Sequence, residues 1–262
     1  MTALQTSDLR FNYGTARVID GVSLVIAERE FLGIIGPNGA GKSTLLRLMC
    51  GILEPQAGEV ALFGKDLSGL GHKAIAQQVA FVPQETHFSL NFTVEDIVMT
   101  GRYPYQRPFA RERKEDIDAV DRAIDAAGIQ SLRKRPVNSL SSGERQRVVI
   151  CRAICQGPRV LLLDEPTSHL DLFHQHAIME LVRKLNAGGM TAAVVHHDLN
   201  LASLYCHRLV LMNKSKIQAS GAPGELLTEA TLHAVYGARV RVVSHPDKDV
   251  PQIFLDTRGD HE

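Results

Sequence analysis

Few cysteines, no net charge and no long apolar run characterise this sequence of 262 residues. Its four cysteines, Cys50, Cys151, Cys155 and Cys206, are too few and too scattered for a disulfide framework. Lys plus Arg and Asp plus Glu each number 29, so no global basic field argues for a nucleic-acid partner, and none is expected. The longest apolar stretches, such as Val160–Leu163, fall far short of the roughly 20 residues that a bilayer-spanning helix needs. The opening MTALQTSDLR lacks a basic segment followed by an apolar core, so no secretory signal is evident and a cytoplasmic location is expected. With 44% hydrophobic and 22% charged residues the composition is that of an ordinary globular protein, able to bury a substantial core in one domain or two closely joined lobes.

Against these absences stands Gly36-Pro37-Asn38-Gly39-Ala40-Gly41-Lys42-Ser43-Thr44. Its glycines allow a tight turn with backbone N–H groups pointing inward, and the run Leu45, Leu46, Leu48, Met49 reads as a helix whose N-terminus favours phosphate. Lys42 would reach the β- and γ-phosphates of a nucleotide and Ser43 would hold Mg²⁺. Phe31–Ile35, just before the glycines, is a short apolar run suited to a buried parallel strand, so strand, loop and helix follow in the required order.

A second constellation is Val160-Leu161-Leu162-Leu163-Asp164-Glu165-Pro166: a buried strand with two carboxylates at its carboxyl end. Asp164 suits Mg²⁺, directly or through water, and Glu165 suits a general base for an attacking water. A third apolar strand, Thr191–Val195, runs into His196-His197, where a histidine could contact a γ-phosphate; Val79–Val82 ends near Gln84, whose amide could reach metal or water. Leu140-Ser141-Ser142-Gly143-Glu144-Arg145-Gln146-Arg147 precedes a helical run and reads as a second phosphate-binding surface, or more simply as a helix cap. Cys151 and Cys155 stand four apart, a spacing open to metal or redox chemistry, but their neighbours Val148, Val149, Ile150 and Ile154 read them as core residues. His174 and His176 have no partners of metal-site form and read as a solvated helix face.

From about Glu85 to Gln156 the chain reads as a mainly helical lobe. Within it Arg111–Ala127 is rich in charge, read as solvated surface, with Ile117, Val120 and Ile124 on one apolar face. Thr93–Val98 leads into Gly101-Arg102-Tyr103-Pro104-Tyr105, on its residues alone a loop with a proline turn. Beyond Leu227, Val240–Val243 suggests one more strand and Asp256–Glu262 a polar tail, in which Arg258-Gly259-Asp260 is a chance integrin-type tripeptide.

Taken in order, these segments resemble the nucleotide-binding subunit of ATP-binding cassette (ABC) transporters, over nearly the whole chain. GPNGAGKST resembles the Walker A loop, Gln84 the Q-loop glutamine, LSSGERQ the cassette signature, VLLLDEP the Walker B strand, Ser168–Asp171 the D-loop and His197 the switch histidine. Tyr13 falls where the family stacks an aromatic ring on adenine. Two departures stand out: Ser142 and Glu144 replace a glycine and a glutamine of the usual signature, while Ser141 and Gly143, which the family uses on the γ-phosphate, are retained; and His196 stands where Ser or Thr is common.

The resemblance implies an α/β fold of the phosphate-loop NTPase class, with a RecA-like core, an antiparallel β subdomain and an inserted helical subdomain. Residues 1–84 and 157–227 would form the core with the β subdomain, 85–156 the helical subdomain and 228–262 a C-terminal extension. It also implies ATP and Mg²⁺ as ligands, with Ser43, Gln84 and Asp164 at the metal and Glu165, His197 and Gln84 in catalysis. Gly36 to Thr44, Tyr13, Ser141, Gly143 and Asp171 would contact nucleotide. In this family the signature of one subunit closes on ATP held by the other. With one Walker A loop and no internal repeat, a two-fold homodimer is expected. The GRYP stretch is similar to importers of ferric siderophores, haem and cobalamin, and lies where such importers dock a membrane permease. The expected role is therefore that of a peripheral ATPase on the cytoplasmic face of the inner membrane, driving a permease dimer fed by a substrate-binding protein. A soluble cassette ATPase is the alternative, against which counts the absence of a coiled-coil insertion or a second cassette; a small-molecule kinase is disfavoured by the signature and D-loop.

Overall fold

Two kinds of strand divide the molecule. In the computed structural model, which describes residues 1–86, 88, 92–106 and 111–256, the chain opens with β1 (Thr2–Tyr13) and β2 (Ala16–Ala27). Along β2, buried Val22, Leu24 and Ile26 alternate with exposed Ser23, Val25 and Ala27, the period of a sheet with one face covered. Next, β3 (Phe31–Ile35) is buried at every position and runs into α1 (Lys42–Met49). The strands β4 (Ala57–Leu62) and β5 (Lys65–Asp66) complete an antiparallel sheet of order β2-β1-β4-β5, after which α2 (His72–Ala76) leads to β6 (Val79–Val82).

Three helices follow: α3 (Val94–Met99), α4 (Lys114–Ala127) and α5 (Ser142–Cys155). Thr93 caps α3 reciprocally with Asp96, and Ser141 caps α5 reciprocally with Glu144. The Arg147 guanidinium of α5 donates to the terminal carbonyls of α4, at Ala127 (2.7 Å) and Gly128 (2.9 Å). The reading of this region needs three corrections. Ile117 lies on the outer face of α4 and is exposed, because the buried stripe is Asp116, Ala119, Val120, Ala123, Ile124 and Ala127. Asp116 is not solvated surface: its carboxylate is buried and receives Arg102 Nε at 3.1 Å, with Arg113 at 3.4 Å. The stretch read as a loop with a proline turn is a short 3-10 helix, Thr100–Tyr105, with Pro104 inside it; Gly101 and Arg102 are buried, Arg102 also donating to the Cys155 carbonyl at 3.0 Å and covering the Tyr105 ring, while Tyr103 is exposed.

The second half supplies β7 (Val160–Asp164), α6 (Leu172–Ala187), β8 (Thr191–Val195), α7 (Leu199–Tyr205), β9 (Arg208–Asn213) and β10 (Lys216–Gly221). The larger sheet has the order β10-β9-β3-β8-β7-β6, parallel from β9 to β6 with β10 antiparallel at the edge. Alternation along its central strands sends Phe31, Ile35, Leu161, Leu163, Ala192 and Val194 into the core under the helical lobe. Leu32, Ile34, Val160, Leu162, Ala193 and Val195 face the other way, toward α1 and the antiparallel sheet. Cys151, Cys155 and Cys206 are buried core thiols, as small apolar residues would be.

After α8 (Pro223–Leu226) and α9 (Glu229–Tyr236), β11 (Val240–Ser244) pairs with β12 (Pro251–Leu255). The sequence indicated β11 but not its partner. Asn200 of α7 fastens the hairpin, exchanging hydrogen bonds with the Ile253 carbonyl (3.1 Å) and amide (2.7 Å). The Arg258-Gly259-Asp260 tripeptide and the tail from residue 257 lie outside the described residues.

Candidate nucleotide-binding site

Because β3, β8, β7 and β6 are parallel and adjacent, whatever follows their carboxyl ends falls along one edge of the sheet, where open α/β sheets bind ligands. The residues there are the loop after β3, Gln84 after β6, Glu165 after β7 and His197 after β8. With Val18 of β2 they line one open cleft of about 410 Å³, whose floor is Asn38 to Thr44.

The loop is shaped by close approach. Gly41 has φ 97°, and a Cβ there would lie 2.4 Å from the Val18 carbonyl oxygen, so only glycine fits. Gly41 also precedes α1 without any side-chain cap, leaving the first amides of that helix for an external acceptor. Lys42 is buried, and its ammonium donates to the carbonyls of Gly36 (2.8 Å) and Pro37 (3.0 Å) in its own loop. Burial pushes the Lys42 amine below its usual range, against the pull of Glu165 and Asp164. A desolvated cation beside free helix-end amides fits a polyanion such as a triphosphate.

Acidic groups stand beside Ser43, with Glu165 lining the cleft and Asp164 behind it. Ser43 Oγ donates to Asp164 Oδ1 at 2.8 Å. Burial raises the Asp164 pKa and the neighbouring Glu165 charge adds to it, outweighing the Ser43 bond that lowers it. Two consecutive carboxylates, a hydroxyl and an amide are hard oxygen donors in a site that disfavours uncompensated negative charge, which fits Mg²⁺. Glu165 takes a left-handed backbone conformation, φ 49°, a strained state for a non-glycine residue that aims its carboxylate into the cleft. One oxygen accepts from Gln84 Nε2 at 2.6 Å and the other meets His197 Nε2 at 2.5 Å.

The two histidines after β8 part company. His197 reaches Glu165, whereas His196 is buried with its Nε2 unpartnered, and burial pushes its pKa down to about 4. Tyr13 stands half-exposed at the end of β1, edge-to-face with Phe11 at 5.0 Å. Ser141, Gly143 and Asp171 do not line the cleft. Ser141 and Asp171 are the N-caps of α5 and α6, and Ser141 Oγ accepts from the Glu144 amide at 3.2 Å. Glu144, one of the departures noted above, returns its carboxylate to the Ser141 amide at 2.8 Å, so it completes the cap. On the face read as solvated, His176 is exposed, whereas His174 is half-buried, its ring lying against Gly143 and on the Asp171 carboxylate.

Sequence reasoning missed Val18 and His174. Val18 is one apolar residue of a strand and acts through its backbone, so no residue-type signal marks it. His174 carried one faint signal, a position three residues after an Asp able to cap.

The sequence pattern of the ABC transporter family matches residues 19–168. The chain is 38% identical over 251 residues to the ferric enterobactin transport ATP-binding protein FepC of Escherichia coli (strain K12), covering 95% of this chain and 93% of that protein. It is 41% identical over 244 residues to the cobalamin import ATP-binding protein BtuD of Halobacterium salinarum (strain ATCC 29341 / DSM 671 / R1), covering 93% of this chain and 61% of that protein, so it spans about three-fifths of that relative's length. Among solved structures, a chain described as a metal-chelate type ABC transporter in an inward-facing conformation superimposes with a TM-score of 0.85 at 28% identity, over 97% of this chain and 98% of that one.

Proposed function

Since the chain belongs to the ABC transporter family of ATP-binding proteins, we propose that it is the ATP-hydrolysing motor subunit of an importer for a ferric siderophore, haem or cobalamin. The observation that carries the hydrolytic part is the convergence of Lys42, Ser43, Asp164, Glu165, Gln84 and His197 on one sheet edge. The loop amides and Lys42 bind the phosphates, Lys42 exchanging its carbonyl partners for phosphate oxygens. Ser43, Gln84 and Asp164 would hold Mg²⁺, which when bound neutralises charge on the phosphates. Glu165 orients a water and accepts its proton as the water attacks the γ-phosphorus, while the bond from that phosphorus to the β–γ bridging oxygen breaks and ADP leaves, freeing inorganic phosphate. His197 fixes the position of that carboxylate and senses the γ-phosphate, and Tyr13 stacks on adenine.

Ser141, Gly143 and Asp171 lie outside this cleft, so they are proposed to meet the nucleotide of a second copy in a two-fold sandwich. No helix among the described residues is long and apolar enough to cross a membrane; transport would then require a separate permease, docked at the helical lobe on the cytoplasmic face of the inner membrane, with a substrate-binding protein delivering cargo. The proposed division is the one read from sequence, with residues 1–84 and 157–227 as core, 85–156 as helical subdomain and 228–262 as extension. The test is affinity capture of the chain from its native membranes with assay of vanadate-sensitive ATPase. A many-helix permease and a binding protein among the captured proteins support the importer; soluble partners alone move the reading to a non-transport cassette ATPase.

A further inference from the structure

One side chain joins two segments that the nucleotide cleft leaves aside. Gly143 sits in the first turn of α5, a helix of 14 residues, and Asp171 caps α6, a helix of 16. Between them lies the imidazole of His174. A Cβ at Gly143 would stand 2.0 Å from His174 Cδ2 and 2.3 Å from Cγ, so the ring packs directly on the glycine backbone and a side chain at 143 would have to displace it. The same ring is held from its other side: Asp171 Oδ1 accepts from the His174 amide at 2.8 Å, and ring Nδ1 lies 2.8 Å from that oxygen. A carboxylate only accepts, so Nδ1 carries the proton. Phe173 closes the edge of the ring at 5.4 Å and 89°.

We infer that His174 is a positioning residue that clamps the Gly143 turn to the Asp171 turn of the same subunit, so that both meet a second copy's nucleotide as one rigid surface. The inference rests on the proposed sandwich and adds to it a part that the assigned motifs lack. Its logic is steric as well as polar. The glycine at 143 has no left-handed φ; what its missing side chain provides is the space that the imidazole occupies. The imidazole keeps its orientation because Asp171 fixes both its backbone and its ring. Without the ring, the gap beside Gly143 would let α5 and α6 shift independently, and the serine and glycine meant for the γ-phosphate would lose register with the aspartate.

The test compares the full-length chain with His174→Ala and His174→Asn, the latter keeping a flat amide that can donate to Asp171. Steady-state Mg-ATP hydrolysis is measured, together with ATP-driven pairing in a Glu165→Gln background. For His174→Ala the expected kcat loss is roughly tenfold, because small misplacements of positioning groups have large rate effects, with KM for ATP held within about twofold since the loop at Lys42 is untouched. Pairing should need severalfold more ATP, and His174→Asn should recover about half of the lost rate. The clamp is overturned if His174→Ala turns over and pairs like the wild type, or if both variants lose rate and melting temperature in parallel with no rescue by Asn. A wild-type chain that neither hydrolyses ATP nor pairs would overturn the proposed function and the clamp together.

Discussion

Replacing Glu165 with Gln separates binding from chemistry, and the structure sets the size of the effect. Glu165 is buried, with two acceptor oxygens spent on the donors of Gln84 and His197 at 2.6 and 2.5 Å. Glutamine keeps the shape and tolerates the φ of 49° as well as glutamate does, so the turn after β7 should hold. One of its two terminal atoms is an NH₂, however, and it would face a donor instead of accepting from it. The variant also cannot take a proton from water, and loss of a general base costs about 10²–10⁴ in rate. We expect kcat to fall about 10³-fold, equivalent to about 4 kcal/mol in the barrier. Removing a buried negative charge should leave ATP affinity unchanged or improved, because triphosphate repulsion falls. If hydrolysis is what opens the ATP-bound pair, its lifetime lengthens by the same factor of about 10³. Phosphate release measures the first quantity and size-exclusion chromatography with Mg-ATP the second. A variant within about tenfold of wild-type turnover would refute Glu165 as base, and one that stays monomeric at saturating Mg-ATP would refute the sandwich.

The remaining predictions probe the cation, the histidine and the helical lobe. Lys42→Ala should weaken ATP binding by more than about 100-fold, read by fluorescent-nucleotide titration, since it deletes the buried charge at the cleft floor. His197→Ala should lower kcat by roughly 10²-fold with KM nearly constant, because it frees one oxygen of Glu165 without touching the loop. Arg102→Ala strips the main partner from the fully buried Asp116 and should cost about 3 kcal/mol, lowering the melting temperature by about 6–12 °C in calorimetry. The same pair predicts an acid limb. Burial pushes the Asp116 pKa up, but hydrogen bonds from Arg102 and Arg113 outweigh it and hold the carboxyl below 3.8. Its contribution is therefore present above that ordinary value and lost as pH falls through the lower folded one, a loss that Asp116→Asn should abolish in urea titrations at low pH.

What could be read in the sequence follows from how each residue acts. Phosphate binding by backbone amides forces glycines at fixed spacing, which marks Lys42 and Ser43; carboxylates at a strand end could merely end the strand, and Asp164 and Glu165 stand out only because that phosphate loop lies upstream. Parallel strands covered on both faces must be apolar throughout, which made β3, β7 and β8 visible. Asp116 gave no such sign, because a burial decided by a guanidinium 14 residues away leaves the local pattern unchanged and α4 reads as a charged surface helix. Ile117 was misplaced for a related reason: the buried stripe of α4 runs through alanines and an aspartate, and the largest apolar residue nearby was credited with a place they occupy. The β12 strand escaped because a short segment opening on proline carries little strand signal until β11 and Asn200 receive it.

Convergence of the cleft residues is a property of sheet order more than of any single motif. The four strands that end in site residues are neighbours, β3-β8-β7-β6, yet in sequence they come first, last, third and second of the four. Interleaving them places the loop with Lys42 next to the strand of His197, and the strand of Glu165 between those of His197 and Gln84. Glu165 can therefore accept from residues 81 positions before it and 32 after it without any loop reaching across the cleft. The helical lobe enters between β6 and β7, so Gln84 immediately precedes it and the Ser141 turn lies within it, at the start of its last helix α5. A rotation of that lobe would then alter the Gln84–Glu165 contact and the surface carrying Gly143 in a single movement. Loosening the lobe's interior by removing Arg102, which ties Asp116 of α4 to the Cys155 carbonyl of α5, should consequently disturb turnover as well as stability, and a kcat for Arg102→Ala unchanged below its melting range would argue against that coupling.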